Sequence, residues 1–295
     1  MDMFKAAFLA LVLFLELASS LVWAEGVVRH PRPQTVNDTR NAYFTDLLQA
    51  ALKVTQEEFG ELTLQASRDF VYQSRVLWLL EQGREFDVTW TMTSSEREQQ
   101  VLPIRIPLMK GLLGVRLAII NDKNIDKFAN IKSLEDLRGL TALQGHDWPD
   151  TKILHANGLQ VKTAPQYSEM FRLISRGRYD YFPRGVLEIF AELETTPYKN
   201  LIAEPNLVIT YPSPIYFFVN KDNKPLARRL EKGLRLLIDS GEFDRLFREH
   251  PNHVKALAAM NLEQRRVIRL KNPDLPPETP LDDATLWWDV SLFVR

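Results

Sequence analysis

Glu61-Leu62-Thr63-Leu64-Gln65-Ala66 alternates as a strand does; Val76, Leu77, Leu79 and Leu80 then follow at helical spacing until Gly83, and Phe86-Asp87-Val88-Thr89-Trp90-Thr91-Met92 alternates again. A hydrophobic period that switches from two to about 3.6 and back across short joints predicts a strand, helix, strand unit of an α/β protein. Upstream, Tyr43, Leu47, Leu48, Ala51, Leu52 and Val54 mark an amphipathic helix over 41–59, with Asp38 or Thr39 as its cap and Gly60 as its stop.

Downstream, two proline-bearing stretches frame a second α/β set. Leu102 to Pro107 leads into the apolar segment Leu112 to Ile120, and Pro205 to Pro214 leads into Ile215-Tyr216-Phe217-Phe218-Val219. A unit inserted between two extended crossings predicts one lobe interrupted by another, with a ligand cleft where they face each other. Pro225 then opens a helix carrying Leu226, Leu230, Leu234, Leu237 and Ile238, which Gly241 breaks. The expected division is lobe 1 from 25–110 and 212–295, with an extension over about 252–295, and lobe 2 from 111–211.

The chain has 295 residues, 45% of them hydrophobic and 25% charged, enough for one or two packed cores, and a formal net charge of −1. So balanced a charge supplies no field toward nucleic acid or an anionic membrane, and neither is expected as a partner. Residues 1–24 stand apart: Lys5 precedes an apolar run from Ala6 to Leu15, and small residues lead to Val22-Trp23-Ala24. That pattern reads as a secretory signal peptide cleaved after Ala24, with an uncleaved anchor as the alternative that Asp2 and Glu16 leave open. There is no cysteine, so disulfides, thiolate nucleophiles and cysteine-ligated metals are excluded.

Five short motifs then occur in a fixed order. They are Phe86-Asp87-Val88 with Ser94-Ser95-Glu96-Arg97; Ser133-Leu134-Glu135-Asp136-Leu137-Arg138-Gly139-Leu140; Leu143-Gln144-Gly145; Leu173-Ile174-Ser175-Arg176-Gly177-Arg178-Tyr179-Asp180; and Phe217-Phe218-Val219-Asn220 with Ser240-Gly241-Glu242-Phe243. Together, over residues 40–250, they resemble the extracellular solute-binding proteins of amino-acid ABC transporters (family 3), which have the type 2 periplasmic binding protein fold. The resemblance implies a two-lobed α/β protein of the periplasm, monomeric and without a cofactor. It would bind a small carboxylate-bearing, anionic solute by hinge closure and deliver it to a membrane permease. A ligand-sensing accessory protein that signals to a membrane sensor is the alternative, with a dehydratase-like enzyme on the same fold behind it.

The same resemblance implies a site. Arg97 stands where the family holds a ligand carboxylate, which suits a planar guanidinium, although a Ser replaces the family's Thr three residues before it. The other reading of Arg97 is a surface residue of the charged turn Glu96-Arg97-Glu98. His146, Asp147 and Trp148 lie where the family presents a helix N-terminus to the ligand; otherwise Asp147 caps that helix and Trp148 packs on the lobe. The family's acceptor for an α-amino group falls on Gly185, which has no side chain. A buried ammonium would then lack its partner, which points away from an ordinary α-amino acid and, with Arg184 alongside, toward a solute with two carboxylates. Glu188 is the alternative acceptor, and Arg184 turned to solvent is the alternative for that residue.

Trp90, Tyr43 and Tyr72 are candidate aromatic walls, although the alternation Phe86, Val88, Trp90, Met92 reads equally as core. Trp287 and Trp288 are candidate anchors, for packing on lobe 1 or for a partner. His30, His146, His155, His250 and His253 form no metal-ligand spacing, and there is neither a nucleophile elbow nor a phosphate-binding glycine loop, so no metal and no catalytic residue is expected.

Overall fold

The structure, a computed structural model, describes residues 26–33, 41–146 and 148–293. The signal peptide read over 1–24 and the candidate Asp147 lie outside the described residues. In chain order the first stretch holds β1 (Gly26–His30), α1 (Ala42–Val54), α2 (Gln56–Phe59), β2 (Leu62–Ala66), α3 (Gln73–Glu81), β3 (Val88–Met92), α4 (Ser95–Gln100) and β4 (Leu102–Ile104). Next come β5 (Val115–Asn121), α5 (Ile125–Ala129), α6 (Leu134–Arg138), β6 (Thr141–Gly145), α7 (Pro149–Ala156), β7 (Gln160–Ala164), α8 (Tyr167–Ser175), β8 (Tyr181–Gly185), α9 (Ile189–Thr195), β9 (Leu201–Ala203) and β10 (Leu207–Thr210). Then follow β11 (Ile215–Val219), α10 (Lys224–Asp239), α11 (Glu242–Glu249), α12 (Pro251–Ala259) and β12 (Arg266–Arg269).

Two sheet systems result. In lobe 1, β11 lies between β3 and β4, antiparallel to both, while β1 and β2 pair in parallel and the Asp87 N–H donates to the Arg29 carbonyl (2.9 Å) to bring β1 beside β3. In lobe 2 the order is β12-β10-β5-β8-β6-β7, with β9 also on β5. The stretch that the sequence reading grouped with lobe 1 as an extension therefore contributes a strand to the other sheet: β12 pairs in parallel with β10. The central strands β3, β5, β8 and β11 are buried at every position, because both faces of each sheet are covered, and such strands read as continuous apolar runs.

That double covering decides Trp90 and Tyr43. Trp90 stacks on Phe44 (centroids 5.6 Å apart), lies near His30 and Phe217, and donates its Nε1–H to Asn41 Oδ1 (3.1 Å). Tyr43 donates its hydroxyl to the Leu108 carbonyl (2.8 Å) and packs among Phe44, Phe247, His250 and His253. As corrections to the expected walls, both are core residues of lobe 1.

His253 in this cluster is buried, its Nδ1 faces the Phe247 carbonyl (2.8 Å), and burial brings its pKa down to about 4. The unfolded chain takes up that proton near the ordinary value of about 6.5, while the folded chain resists until about 4, so stability present above the first is lost as pH falls toward the second. The expected loss is up to roughly 3 kcal/mol. Comparing urea unfolding of the wild type and His253→Asn at about pH 7 and about pH 4 isolates it, since the variant should lose less.

Candidate functional site

On lobe 1 the site begins where β3 runs into α4. Ser94 caps α4 by accepting the Arg97 N–H on its Oγ (3.2 Å), which turns the Arg97 side chain back along β3. The guanidinium, on a residue only 9% exposed, donates from Nη1 to Thr91 Oγ1 (2.6 Å) and the Met92 carbonyl (2.8 Å), and from Nη2 to Gln73 Oε1 (2.8 Å). Arg97 is thus no surface residue of a charged turn; its guanidinium is turned inward and, among the described residues, donates to Thr91, Met92 and Gln73. Tyr72, the residue before Gln73 and the N-cap of α3, is 61% exposed and meets Phe70 edge to face.

On lobe 2 the chain builds a buried ionic cluster. Arg116 of β5 lies opposite Gly185 of β8, and Arg184 lies opposite Leu117, so adjacent strands deliver the two guanidiniums. Arg184 donates from Nε and Nη2 to the two carboxylate oxygens of Glu192 (2.8 and 2.6 Å) and lies 3.1 Å from Glu188 Oε2. Arg116 lies 2.6 Å from Asp150 Oδ1, in the first turn of α7, and 3.8 Å from Glu188. The hydroxyls close the network: Tyr167 donates to Glu192 Oε1 (2.5 Å), and Tyr211, from the second crossing, donates to Asp150. Burial alone would lower the pKa of Arg184, but Glu188 and Glu192 outweigh it and the shift is upward, so the guanidinium stays charged. Burial likewise raises the Tyr211 phenol, which therefore serves as a hydrogen-bond donor.

Glu188 is the member of this cluster nearest to solvent, its side chain 23% exposed against 3% for both arginines. Its Oε2 accepts the Gly185 N–H (3.1 Å) and stands 2.6 Å from where a Cβ on Gly185 would be. The carboxylate three residues on thus fills the position that a side chain at 185 would occupy. The carboxylates of Asp150, Glu188 and Glu192 face the guanidiniums of Arg116 and Arg184.

Trp148 joins the cluster as its aromatic lid. It is partly exposed, stacks on Phe182 (6.1 Å, 20° between planes) and lies 4.9 Å from the Arg184 guanidinium, a cation–π contact. His146 is exposed beside it. Arg184, by contrast, is turned neither to solvent nor to an open cleft; Glu192 and the rings of Trp148, Phe182 and Tyr167 enclose it. The sequence reading missed Arg116, Asp150, Glu192 and Tyr211. Arg116 had a signal, a lone charge inside the apolar run from Leu112 to Ile120, whereas the others sit in ordinary helical or proline-rich contexts. Across the lobes, Lys152 Nζ of α7 reaches Glu96 Oε2 of α4 (3.0 Å).

No family model matches the chain, and no curated protein matches it in sequence. Solved structures do. The chain is similar to an ancestral arginine-binding protein bound to glutamine, at 20% identity and a TM-score of 0.58 over 78% of this chain and 99% of that one. It is similar to the substrate-binding protein of an amino acid ABC transporter, at 17% identity and a TM-score of 0.55 over 76% and 98% of the two chains. It is also similar to a histidine kinase sensor domain with similarity to periplasmic binding proteins, at 19% identity and a TM-score of 0.56 over 75% and 93%. These likenesses establish the fold: the chain has the two-lobed type 2 periplasmic binding protein architecture. About a quarter of its residues fall outside each of these matches.

Proposed function

We propose that this chain is a monomeric, exported solute-binding protein of the periplasm that encloses a small zwitterionic ligand by hinge closure, performs no chemistry, and presents the closed form to a membrane permease. The observation that carries the reading is the Glu188 carboxylate standing in the place of a residue-185 side chain, on the more exposed side of the cluster. A ligand ammonium docked there meets an acceptor, which removes the objection that the bare Gly185 raised to nitrogen-bearing solutes. On lobe 1, Arg97 supplies the carboxylate partner. A carboxylate is a stronger acceptor than the neutral amide of Gln73 and would displace it from Nη2. Tyr72 and Trp148 offer rings from the two sides, with His146 at the rim.

The likeness to a transporter's binding protein supports the permease as partner, and the likeness to a kinase sensor domain supports signalling to a membrane sensor as the second reading. The leader read over 1–24 supports export. A thermal-shift screen of amino acids, amines, mono- and dicarboxylates tests the ligand class. Amino acids or other zwitterions should raise the melting temperature, and Glu188→Gln should weaken the best of them by roughly thirtyfold, about 2 kcal/mol for one charged hydrogen bond. Stabilisation by dicarboxylates alone, left intact or strengthened in Glu188→Gln, would refute the zwitterion.

A further inference from the structure

Two connections between two lobes define a single rotation axis, and lobes joined only in this way swing about it. Here the chain passes between the lobes twice more. From α11 it turns at His250 into α12, which packs on α9 of lobe 2 with Lys255 salt-bridged to Glu194, and β12 then extends the lobe 2 sheet. Beyond Leu270 it returns to lobe 1. Asn157 and Lys271 exchange two hydrogen bonds: Asn157 Nδ2 donates to the Lys271 carbonyl (2.8 Å), and the Lys271 N–H donates to Asn157 Oδ1 (3.0 Å). Asn272 Nδ2 donates to the Pro212 carbonyl on the second crossing (2.9 Å). The Ser95 N–H, at the first residue of α4, then donates to the Asp274 carbonyl (3.0 Å).

The following residues are fixed on lobe 1 and the hinge. The Trp288 N–H donates to the Lys110 carbonyl (2.9 Å), its ring lies 6.1 Å from Phe247 and 4.4 Å from the Arg248 guanidinium, and Lys110 Nζ donates to Asp244 (2.7 Å) and to the Thr285 carbonyl (3.2 Å). Thr210 Oγ1 of lobe 2 finally donates to the Leu292 carbonyl (2.8 Å).

We infer that residues 270–293 are a strap that sets the angle between the lobes, and that swinging requires it to come off one of them, at Asn157 on lobe 2 or at Ser95 and Lys110 on lobe 1. Rotation about the two crossings would otherwise stretch hydrogen bonds at Ser95 and Asn157, on opposite lobes. The inference concerns the ligand-free protein and stands whether or not the proposed ligand is right.

The absence of cysteine lets spin labels be placed at the exposed positions Glu57→Cys on lobe 1 and Lys162→Cys on lobe 2, and their separation read by double electron–electron resonance without ligand. The intact chain should give one narrow distance distribution. Removing the ties in Asn157→Ala/Asn272→Ala/Trp288→Ala should broaden it at least roughly twofold or add a second population, as freed hinge motion does. Circular dichroism checks that the triple variant folds; should it not, the two asparagine substitutions alone, which leave the apolar packing in place, give the deciding distribution. A distribution already as broad in the intact chain as in the variant, or a variant as narrow as the intact chain, overturns the strap.

Discussion

Asp150→Ala is expected to lower the free energy of unfolding by about 3–5 kcal/mol, the range for removing one partner from a buried ion pair. Asp150 receives Arg116 at 2.6 Å and the Tyr211 hydroxyl, and both arginine and aspartate are almost wholly buried. Alanine would leave a guanidinium that cannot deprotonate, with Glu188 3.8 Å away and with an Nε that already has no hydrogen-bond partner among the described residues. Two further variants make the cause testable by urea unfolding. Asp150→Asn keeps an acceptor for the hydroxyl but not the charge, so it should fall between wild type and Asp150→Ala. Arg116→Met combined with Asp150→Leu removes both charges and should recover most of the loss, because a well-packed apolar pair replaces a costly ionic one. A loss below about 1 kcal/mol for Asp150→Ala would show that solvent screens Arg116, as it does surface pairs.

The cluster also shows what a linear reading can and cannot extract. The order of motifs from Phe86 to Phe243 was sufficient for the architecture, because strand and helix periods and proline crossings are local properties of the chain. The faces of β3 were not legible. Alternation distinguishes inside from outside only when one face meets water, and β3 is covered on both, which is why Trp90 read as wall or core with equal ease. Gly185 read as a missing carboxylate because side-chain position was inferred from register. The alternative acceptor that the sequence offered, Glu188, has its carboxylate at the position of a residue-185 side chain because of the turn into α9. Arg116, Asp150 and Tyr211 come from a strand, a helix and a crossing, and no spacing rule connects residues so far apart in sequence.

The stretch beyond residue 250 shows a second limit. Its aromatic pair Trp287-Trp288 reads as an anchor, for packing on lobe 1 or for a partner; Trp287 is buried, with its Nε1–H donated to the Pro280 carbonyl (2.7 Å). Its strand β12 carries only four residues with charges at both ends, Arg266-Val267-Ile268-Arg269, too short a pattern to announce that it would join the sheet of the other lobe. Edge strands are held by one neighbour and tolerate such charged ends.

The same hinge makes Gly114→Ala the second large effect, a loss of about 3 kcal/mol or more, at the upper end for inserting a methyl group into packed surroundings. Gly114 closes the first crossing, and a Cβ there would stand 2.0 Å from the Tyr211 carbonyl oxygen and 2.8 Å from Ser213 Oγ on the second. The two crossings touch backbone to backbone, with the Tyr211 N–H donating to the Gly114 carbonyl (3.0 Å). The neighbour cannot step aside cheaply, because Tyr211 is buried and tied through its hydroxyl to Asp150. Gly114 is not among the positive-φ glycines, so the cost is contact alone. Gly177→Ala is the complementary control: its φ is +67° with nothing within 4 Å of the added Cβ, which leaves only the left-handed backbone penalty of about 1–2 kcal/mol. Unfolding both variants in urea ranks the two causes. If Gly114→Ala costs no more than Gly177→Ala, the crossings can part without resistance, and the second crossing is not the rigid element that its ties to Asp150 and Asn272 require.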